Sequence, residues 1–98
     1  MSKLTVVAKI VAKKDSIKTV KTELLKLIEP TRKEAGCIEY NLHQDNDNPA
    51  FFVFYETWEN FACLEKHMNS DHFKSYVNVA GSMIEDKIVH KMTRIEDV

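Results

Sequence analysis

The groups in this 98-residue chain that could do chemistry concentrate in residues 51–73. This stretch holds most of the aromatic side chains, the single tryptophan and two of the four histidines. A carboxylate and an indole, Glu56 and Trp58, lie two residues apart on a predicted strand and therefore project from the same face of a sheet. His67 and His72 follow in predicted helical segments that can cover that face. The pattern predicts a site where a carboxylate, two imidazoles and aromatic rings meet.

The two histidines are the candidate acid–base groups of this site. His67 lies three residues after Leu64, on the flank of the apolar stripe of its predicted helix, where an imidazole can reach the edge of a pocket. The ordinary pKa of histidine, about 6.5, suits proton transfer near neutrality. The alternative for His67 is a polar residue on the flank of the helix. His72 lies in the first turn of the next helix beside Tyr76, where it could bind an anion, although a cation there opposes the helix dipole.

Glu56 is the least expected residue of its strand, because its neighbours on the same face are aromatic. A carboxylate in such surroundings must be paired, hydrogen-bonded or protonated. One interpretation is a general base with a raised pKa. The other is a structural partner of His67, Arg94 or a backbone amide.

The candidate walls of the pocket are aromatic and aliphatic. Trp58 is a core residue or a pocket wall, and it could stack on an aromatic substrate. Tyr76 could donate a hydrogen bond to an oxyanion, or it is a core tyrosine with a satisfied hydroxyl. Phe54, Phe73 and Leu64 complete the predicted substrate-binding set.

The sequence contains no motif for a metal site, a serine nucleophile, a nucleotide-binding loop or a redox-active cysteine pair. His67 and His72 are five residues apart across a predicted break and have no third ligand nearby in sequence, so no metal site is predicted. There is no GxSxG, Walker or GxGxxG pattern. Cys37 and Cys63 have no CxxC spacing. The sequence leaves a disulfide between them open, and two free thiols in a reducing cytoplasm are the simpler interpretation.

The composition indicates one small cytoplasmic domain over residues 1–98. The net charge of −1, with acids and bases interspersed, favours neither a nucleic acid nor a membrane surface as partner. The first apolar run is too short to span a bilayer.

The predicted elements follow from the hydrophobic period. Alternation of period two indicates strands over residues 4–12, 38–44, 51–58 and 87–95, and helical periods lie between them. Predicted caps at Asp15 or Ser16, at Asn60 and at Ser70 begin the helices. Pro30 kinks the first helix or starts a new short turn, and Gly36 ends it. Phe61, Leu64 and Met68 are predicted to face inward on the second helix, and Val77 belongs to the predicted apolar stripe of the third.

This order is β-α-β-β-α-β, an α+β ferredoxin-like fold with a four-stranded antiparallel sheet. The helices cover one face of such a sheet, and the other face must be solvated or buried in a partner. Apolar residues on the second face predict a homodimer in which two sheets pack together: Val7, Val11, Val53, Tyr55, Val89 and Ile95.

Five short motifs occur together in order: residues 34–40 (EAGCIEY), 47–49 (DNP), 54–58 (FYETW), 64–67 (LEKH) and 70–73 (SDHF). With these motifs the chain resembles the antibiotic biosynthesis monooxygenase family, and in particular its quinol monooxygenase branch. The resemblance covers nearly the whole chain.

The resemblance implies a dimeric α+β barrel with a pocket between sheet and helices in each protomer. It also implies oxidation of a small quinol-like or polyphenolic substrate by O2, with no metal, flavin or haem. His67, His72, Tyr76 and Glu56 would be the catalytic residues.

Related branches imply alternatives. One branch implies an isomerase of a small, phosphorylated or polar carbonyl compound. A separate alternative is a non-catalytic dimer that keeps the family fold and binds a small molecule. A third branch degrades haem, but Ile10 and Val77 stand where the haem-degrading relatives carry an asparagine and the haem-ligating histidine. No cofactor is therefore predicted.

Overall fold

The computed structural model describes residues 3–97 and places a four-stranded antiparallel sheet under three α-helices. The strands lie side by side in the order β2-β3-β1-β4. This is the predicted ferredoxin-like arrangement, with two short helices in the place of the second long one. The elements are β1 (Leu4–Ala12), α1 (Ile17–Arg32), β2 (Cys37–Gln44), β3 (Phe51–Trp58), α2 (Phe61–Met68), α3 (Asp71–Ala80) and β4 (Ile84–Met92).

The covered face of the sheet comes from alternate residues of β1 and β3. On β3 these are Phe52, Phe54, Glu56 and Trp58, which are all buried. Glu56 pairs with Val6 of β1 on one side and with a β2 residue on the other, so its carboxylate lies in the middle of the sheet. The period-two pattern therefore places a charged residue at the centre of an apolar layer.

Helix α1 packs on this face through Val20, Leu24 and Leu27. Pro30 lies inside the helix, which runs two residues further to Arg32, so the predicted new turn at Pro30 is absent. A proline this near the C-terminus removes only one late helical hydrogen bond.

Gly36 lies in the turn that follows α1, with φ of +85°. The predicted helix end at Gly36 comes four residues too late, but the left-handed backbone that favours glycine is present there. A Cβ at this position would collide with the Cys63 side chain, so α2 packs directly on the turn. Both Cys37 and Cys63 are free thiols.

Three side chains of the short helices differ from their predicted placement. Phe61 and Met68 were expected to face inward on α2, yet they are 48% and 39% exposed, and Leu64 and His67 are the buried pair. A helix of two turns can lay only one i, i+3 pair on the sheet, which explains the difference. On α3, Val77 was expected in the apolar stripe but lies half-exposed beside the buried Tyr76.

Strand β4 begins three residues earlier than predicted and ends three earlier. Its register pairs Val89 with Ala8, which puts Val89 on the helix side of the sheet and corrects its predicted place on the open face. Ile88, which pairs with Lys9, takes that place. Ile95 lies beyond the strand in a short 3₁₀ turn.

The open face carries four of its six predicted apolar side chains, and none of the helices among residues 3–97 covers it. Its members include Val7, Val11, Val53, Tyr55 and Ile88. Dimerisation through this face stays a prediction.

Candidate active site

A cavity of about 60 Å³ lies between the covered face of the sheet and helices α2 and α3. Most of its wall is apolar, with Phe54, Leu64 and Phe73 among the predicted residues that line it. Five polar side chains interrupt the apolar wall: Tyr40, Glu56, His67, Tyr76 and Lys87. Three of the four predicted substrate-binding side chains and three of the four predicted catalytic ones therefore share one cavity.

Glu56 is 4% exposed, and its Oε1 accepts a hydrogen bond of 2.9 Å from the indole nitrogen of Trp58. Burial raises the pKa of Glu56 to about 7, although the indole N–H opposes that rise. The structural partner of Glu56 is thus Trp58, and not His67 or Arg94 as the sequence suggested.

Trp58 has a different place from the one expected of a substrate wall. Its side chain is fully buried, and it is absent from the cavity lining among the described residues. The indole ring lies against His67, with ring centroids 5.0 Å apart. In this arrangement Trp58 orients Glu56 and supports the imidazole.

Tyr76 is one of the residues that line the cavity. The residue is 4% exposed, and its hydroxyl oxygen has no hydrogen-bond partner among the described residues. Burial raises the pKa of Tyr76 to about 12, so the phenol stays protonated at neutral pH. A buried hydroxyl without a partner is costly, and it is ready to donate to an oxygen atom that enters the cavity.

His67 lies on α2 and is only 2% exposed, so the predicted position on the helix flank is wrong. Its Nδ1 lies 2.7 Å from Oε2 of Glu34. Burial lowers the pKa of His67 more strongly than the nearby carboxylate raises it. A neutral imidazole beside a carboxylate donates from Nδ1, which leaves Nε2 as an acceptor.

His72 stands outside the cavity lining and reaches the same carboxylate. Its Nε2 lies 2.7 Å from Oε2 of Glu34, and its side chain is 24% exposed. Ser70 begins α3 by accepting a hydrogen bond from the Phe73 amide, and its hydroxyl donates to the carbonyl oxygen of His67. These bonds set the angle between α2 and α3 and bring the two imidazoles together.

Glu34 is the functional candidate that sequence analysis missed. It lies 33 residues before His67 and 38 before His72, so no local spacing connects the three. The available signal was its place at the start of the motif at 34–40. Its side chain also supplies the third ligand-type group that the two histidines lacked, since the three donor atoms lie within 4.8 Å of one another. The lack of a third ligand nearby in sequence therefore does not exclude a metal site.

Tyr40 and Lys87 were also missed. Tyr40 stacks on Phe54 with ring centroids 4.4 Å apart, and burial raises the pKa of its phenol. Lys87 reaches the cavity from the edge strand β4. Period-two patterning could have placed both on the covered face, but it does not show which side chains a cavity exposes.

The family model for antibiotic biosynthesis monooxygenase matches residues 3–79, from the start of β1 to the end of α3. This chain belongs to that family. Strand β4 lies beyond the match and completes the sheet beside β1. No helix among residues 3–97 is long and apolar enough to cross a membrane.

Solved structures of similar proteins share the whole fold. The protein PA3566 from Pseudomonas aeruginosa superposes with a TM-score of 0.93 at 32% identity, over 97% of this chain and 96% of that one. A crystal structure of an antibiotic biosynthesis monooxygenase superposes with a TM-score of 0.88 at 32% identity, over 94% and 98% of the two chains.

A curated relative is the uncharacterised protein sll1783 of Synechocystis sp., which is 31% identical over 70 residues. The match covers 71% of this chain and 48% of the relative. This chain thus spans about half the length of that relative.

Proposed function

We propose that this chain is a cofactor-independent monooxygenase that oxidises a small quinol-like or polyphenolic substrate with O2. The observation that carries the proposal is that Tyr76, whose buried hydroxyl has no partner among the described residues, lines a largely apolar cavity together with Glu56 and His67. Family membership supports a monooxygenase-like protein.

In this proposal the apolar wall binds the aromatic ring and the polar groups bind its oxygen atoms. Tyr76 donates a hydrogen bond to one substrate oxygen. Nε2 of His67 accepts the phenolic proton, and Glu56 serves as a second acceptor when it is ionised. The phenolate that results is a stronger electron donor than the phenol, and the low dielectric of the cavity strengthens its bond to Tyr76.

The reaction balances without a further reductant. A quinol and one O2 give a hydroxyquinone and one water molecule, with one oxygen atom entering the ring. The substrate supplies all four electrons that reduce O2, and its phenolic protons leave through the acceptors in the cavity wall. His72 and Glu34 hold His67 in the tautomer that can accept.

A substrate ring must enlarge the cavity, because about 60 Å³ suits water molecules better than a benzene ring. The movable part of the lining is Met68 and Lys87, which are both exposed side chains on flexible stems. We expect substrate to displace these two side chains while the buried polar groups keep their positions.

The rival function is isomerisation of a small carbonyl compound, phosphorylated or not. Glu56 and His67 could move protons between carbon atoms without O2. A phosphate would require cationic or amide donors, and among the described residues Lys87 is the single cationic side chain that lines the cavity. The cavity therefore favours an aromatic substrate.

Oxygen consumption with a panel of quinols tests the proposal, using wild type, His67→Ala and Tyr76→Phe. We expect uptake above background by wild type and a loss of roughly 100-fold in kcat/KM for Tyr76→Phe, because one donor to the developing anion is removed. Tyr55→Phe, which removes a hydroxyl from the open face, is the matched control and should retain turnover.

Three outcomes contradict the proposal. Product formation without oxygen uptake would indicate an isomerase, and quinol binding without turnover would indicate a binding protein. Full turnover in His67→Ala would exclude the acid–base role of that imidazole.

A further inference from the structure

Three elements of the fold each contribute one potential metal ligand, and the three donor atoms lie within 4.8 Å of one another. Glu34 comes from the turn after α1, His67 from α2 and His72 from the first turn of α3. Both imidazoles contact the same carboxylate atom, Oε2 of Glu34, at 2.7 Å. The cluster lies on the Nδ1 side of His67, and its members other than His67 do not line the cavity.

We propose that Glu34, His67 and His72 form a binding site for a divalent transition-metal ion, with Zn²⁺ the best fit. Two imidazoles and one carboxylate are an established ligand set for zinc, with a fourth position taken by water. The ligands would be Nδ1 of His67, Nε2 of His72 and Oε2 of Glu34. The site shares His67 with the oxidation chemistry proposed above, but the argument for metal binding does not depend on that chemistry.

The distances require a small expansion of the cluster. Bonds of about 2.0 to 2.2 Å to a tetrahedral ion place neighbouring ligand atoms roughly 3.3 Å apart. The two observed distances of 2.7 Å must therefore each lengthen by about half an ångström. His67 is held by its surroundings, but the side chains of Glu34 and His72 are 15% and 24% exposed and can make this movement.

The same exposure gives the ion a path from solvent. His72 and Glu34 form the outer edge of the cluster, whereas His67 forms its buried end with 3% of its side chain exposed. A water molecule can take the fourth position at the outer edge. Aromatic rings pack around His67, with Phe73 and Trp58 centroids 5.1 and 5.0 Å from the imidazole. The packing thus fixes the orientation of the His67 imidazole before an ion binds.

Metal binding would change the tautomer of His67. Without metal, Nδ1 carries the proton that is donated to Glu34. A metal needs the lone pair of Nδ1, so the imidazole proton must move to Nε2. Nε2 of His67 then changes from an acceptor into a donor, which gives the site a spectroscopic signature that is independent of turnover.

Isothermal titration of the untagged protein with Zn²⁺ tests the proposal. We expect one ion per chain, and an affinity at least about tenfold weaker in Glu34→Gln and in His72→Ala, because each change removes a ligand. His90→Ala, which removes an exposed imidazole from β4, is the matched control and should bind like wild type. Circular dichroism establishes that each variant is folded.

Two spectroscopic measurements complete the test. Titration with Co²⁺ should give ligand-field bands without an intense thiolate-to-cobalt band, since no cysteine is a ligand. In ¹⁵N NMR spectra the His67 imidazole should change from the Nδ1–H to the Nε2–H tautomer when Zn²⁺ is added.

The proposal is overturned if wild type binds no Zn²⁺, if all variants bind with equal affinity, or if a thiolate band places the ion on Cys37 or Cys63. A His67 tautomer that stays unchanged in the zinc-bound protein also overturns it. None of these outcomes bears on oxygen uptake, so failure here and failure of the proposed oxidation are distinguishable.

Discussion

At the scale of single residues, the site is defined by three buried polar groups and by the presence or absence of a hydrogen-bond partner for each. Glu56 accepts a hydrogen bond from the indole of Trp58, and His67 is hydrogen-bonded to the carboxylate of Glu34. Tyr76 has no partner among the described residues. Burying a polar group in a small core is costly unless hydrogen bonds replace those it made to water. The unpartnered hydroxyl of Tyr76 therefore indicates a position where a ligand can bind.

Replacing Glu56 by glutamine should change how stability depends on pH. The folded pKa of about 7 lies above the ordinary value of 4.5, so the folded state binds the proton more tightly than the unfolded state. The destabilising effect of ionisation is absent below pH 4.5 and grows to at most about 3 kcal/mol as pH rises through 7. Urea unfolding at several pH values should show a smaller loss of stability in Glu56→Gln.

The control for this change is Glu29→Gln, which removes an exposed charge from α1. If Glu56→Gln and wild type lose stability in parallel between pH 4.5 and 7, the raised pKa of Glu56 is wrong.

Replacing Trp58 by phenylalanine should raise the pKa of Glu56 above 7. The indole N–H stabilises the ionised carboxylate, and phenylalanine removes this donor while it keeps most of the ring volume. Carboxyl ¹³C chemical shifts measured against pH would give the value directly. A Glu56 pKa that falls in the variant would contradict this account.

At the scale of elements, the turn between α1 and β2 positions the site. It carries Glu34 and passes through Gly36 in the left-handed region, while α2 packs on it through Cys63. Helices α2 and α3 meet at Ser70, whose hydroxyl bonds to both. These two junctions bring Glu34 to the histidines.

Gly36→Ala should destabilise the protein by about 1 to 3 kcal/mol, because φ of +85° is strained for alanine and the new methyl group collides with Cys63. Gly81→Ala is the matched control. Its Cβ would have only an ordinary contact of 3.7 Å with Val77. Urea unfolding should therefore separate the two variants, and equal stabilities would show that the turn is not strained.

At the scale of the whole molecule, the sheet has one covered face and one open face. The covered face holds the cavity, and the open face carries an apolar group around Val7, Val53 and Tyr55. An apolar patch of this kind on a small protein is typical of an interface. Pairing of two such faces would leave the cavity of each chain on the outside of the sheet pair.

Val53→Asp should convert a dimer into a monomer, because the aspartate would bury a charge between two sheets. Light scattering coupled to gel filtration gives the mass. Val79→Asp, on the half-exposed outer face of α3, is the control and should leave the mass unchanged. A wild-type protein of monomer mass at micromolar concentration would exclude the sheet-to-sheet dimer.

Much of the fold was predictable because it depends on local patterns. Alternation in β1 and β3 placed Val6, Phe54 and Glu56 on the covered face, and Asn60 and Ser70 cap their helices as expected. Side-chain placement was predicted incorrectly on the short helices, because so few residues do not define which face of the helix is buried. Phe61 on α2 shows this, since its hydrophobicity alone suggested an inward position.

The sequence by itself determined the element order, the family and the stretch that carries the aromatic and ionisable groups, because period and capping act over a few residues. Only the tertiary structure decided what those groups contact. In the folded chain His67 is buried, and Trp58 does not line the cavity. Glu34 lies 2.7 Å from two histidines that are more than thirty residues away in sequence. The physical reason is that the charge and hydrogen bonding of a buried group depend on neighbours supplied by chain reversals, and no local spacing records them.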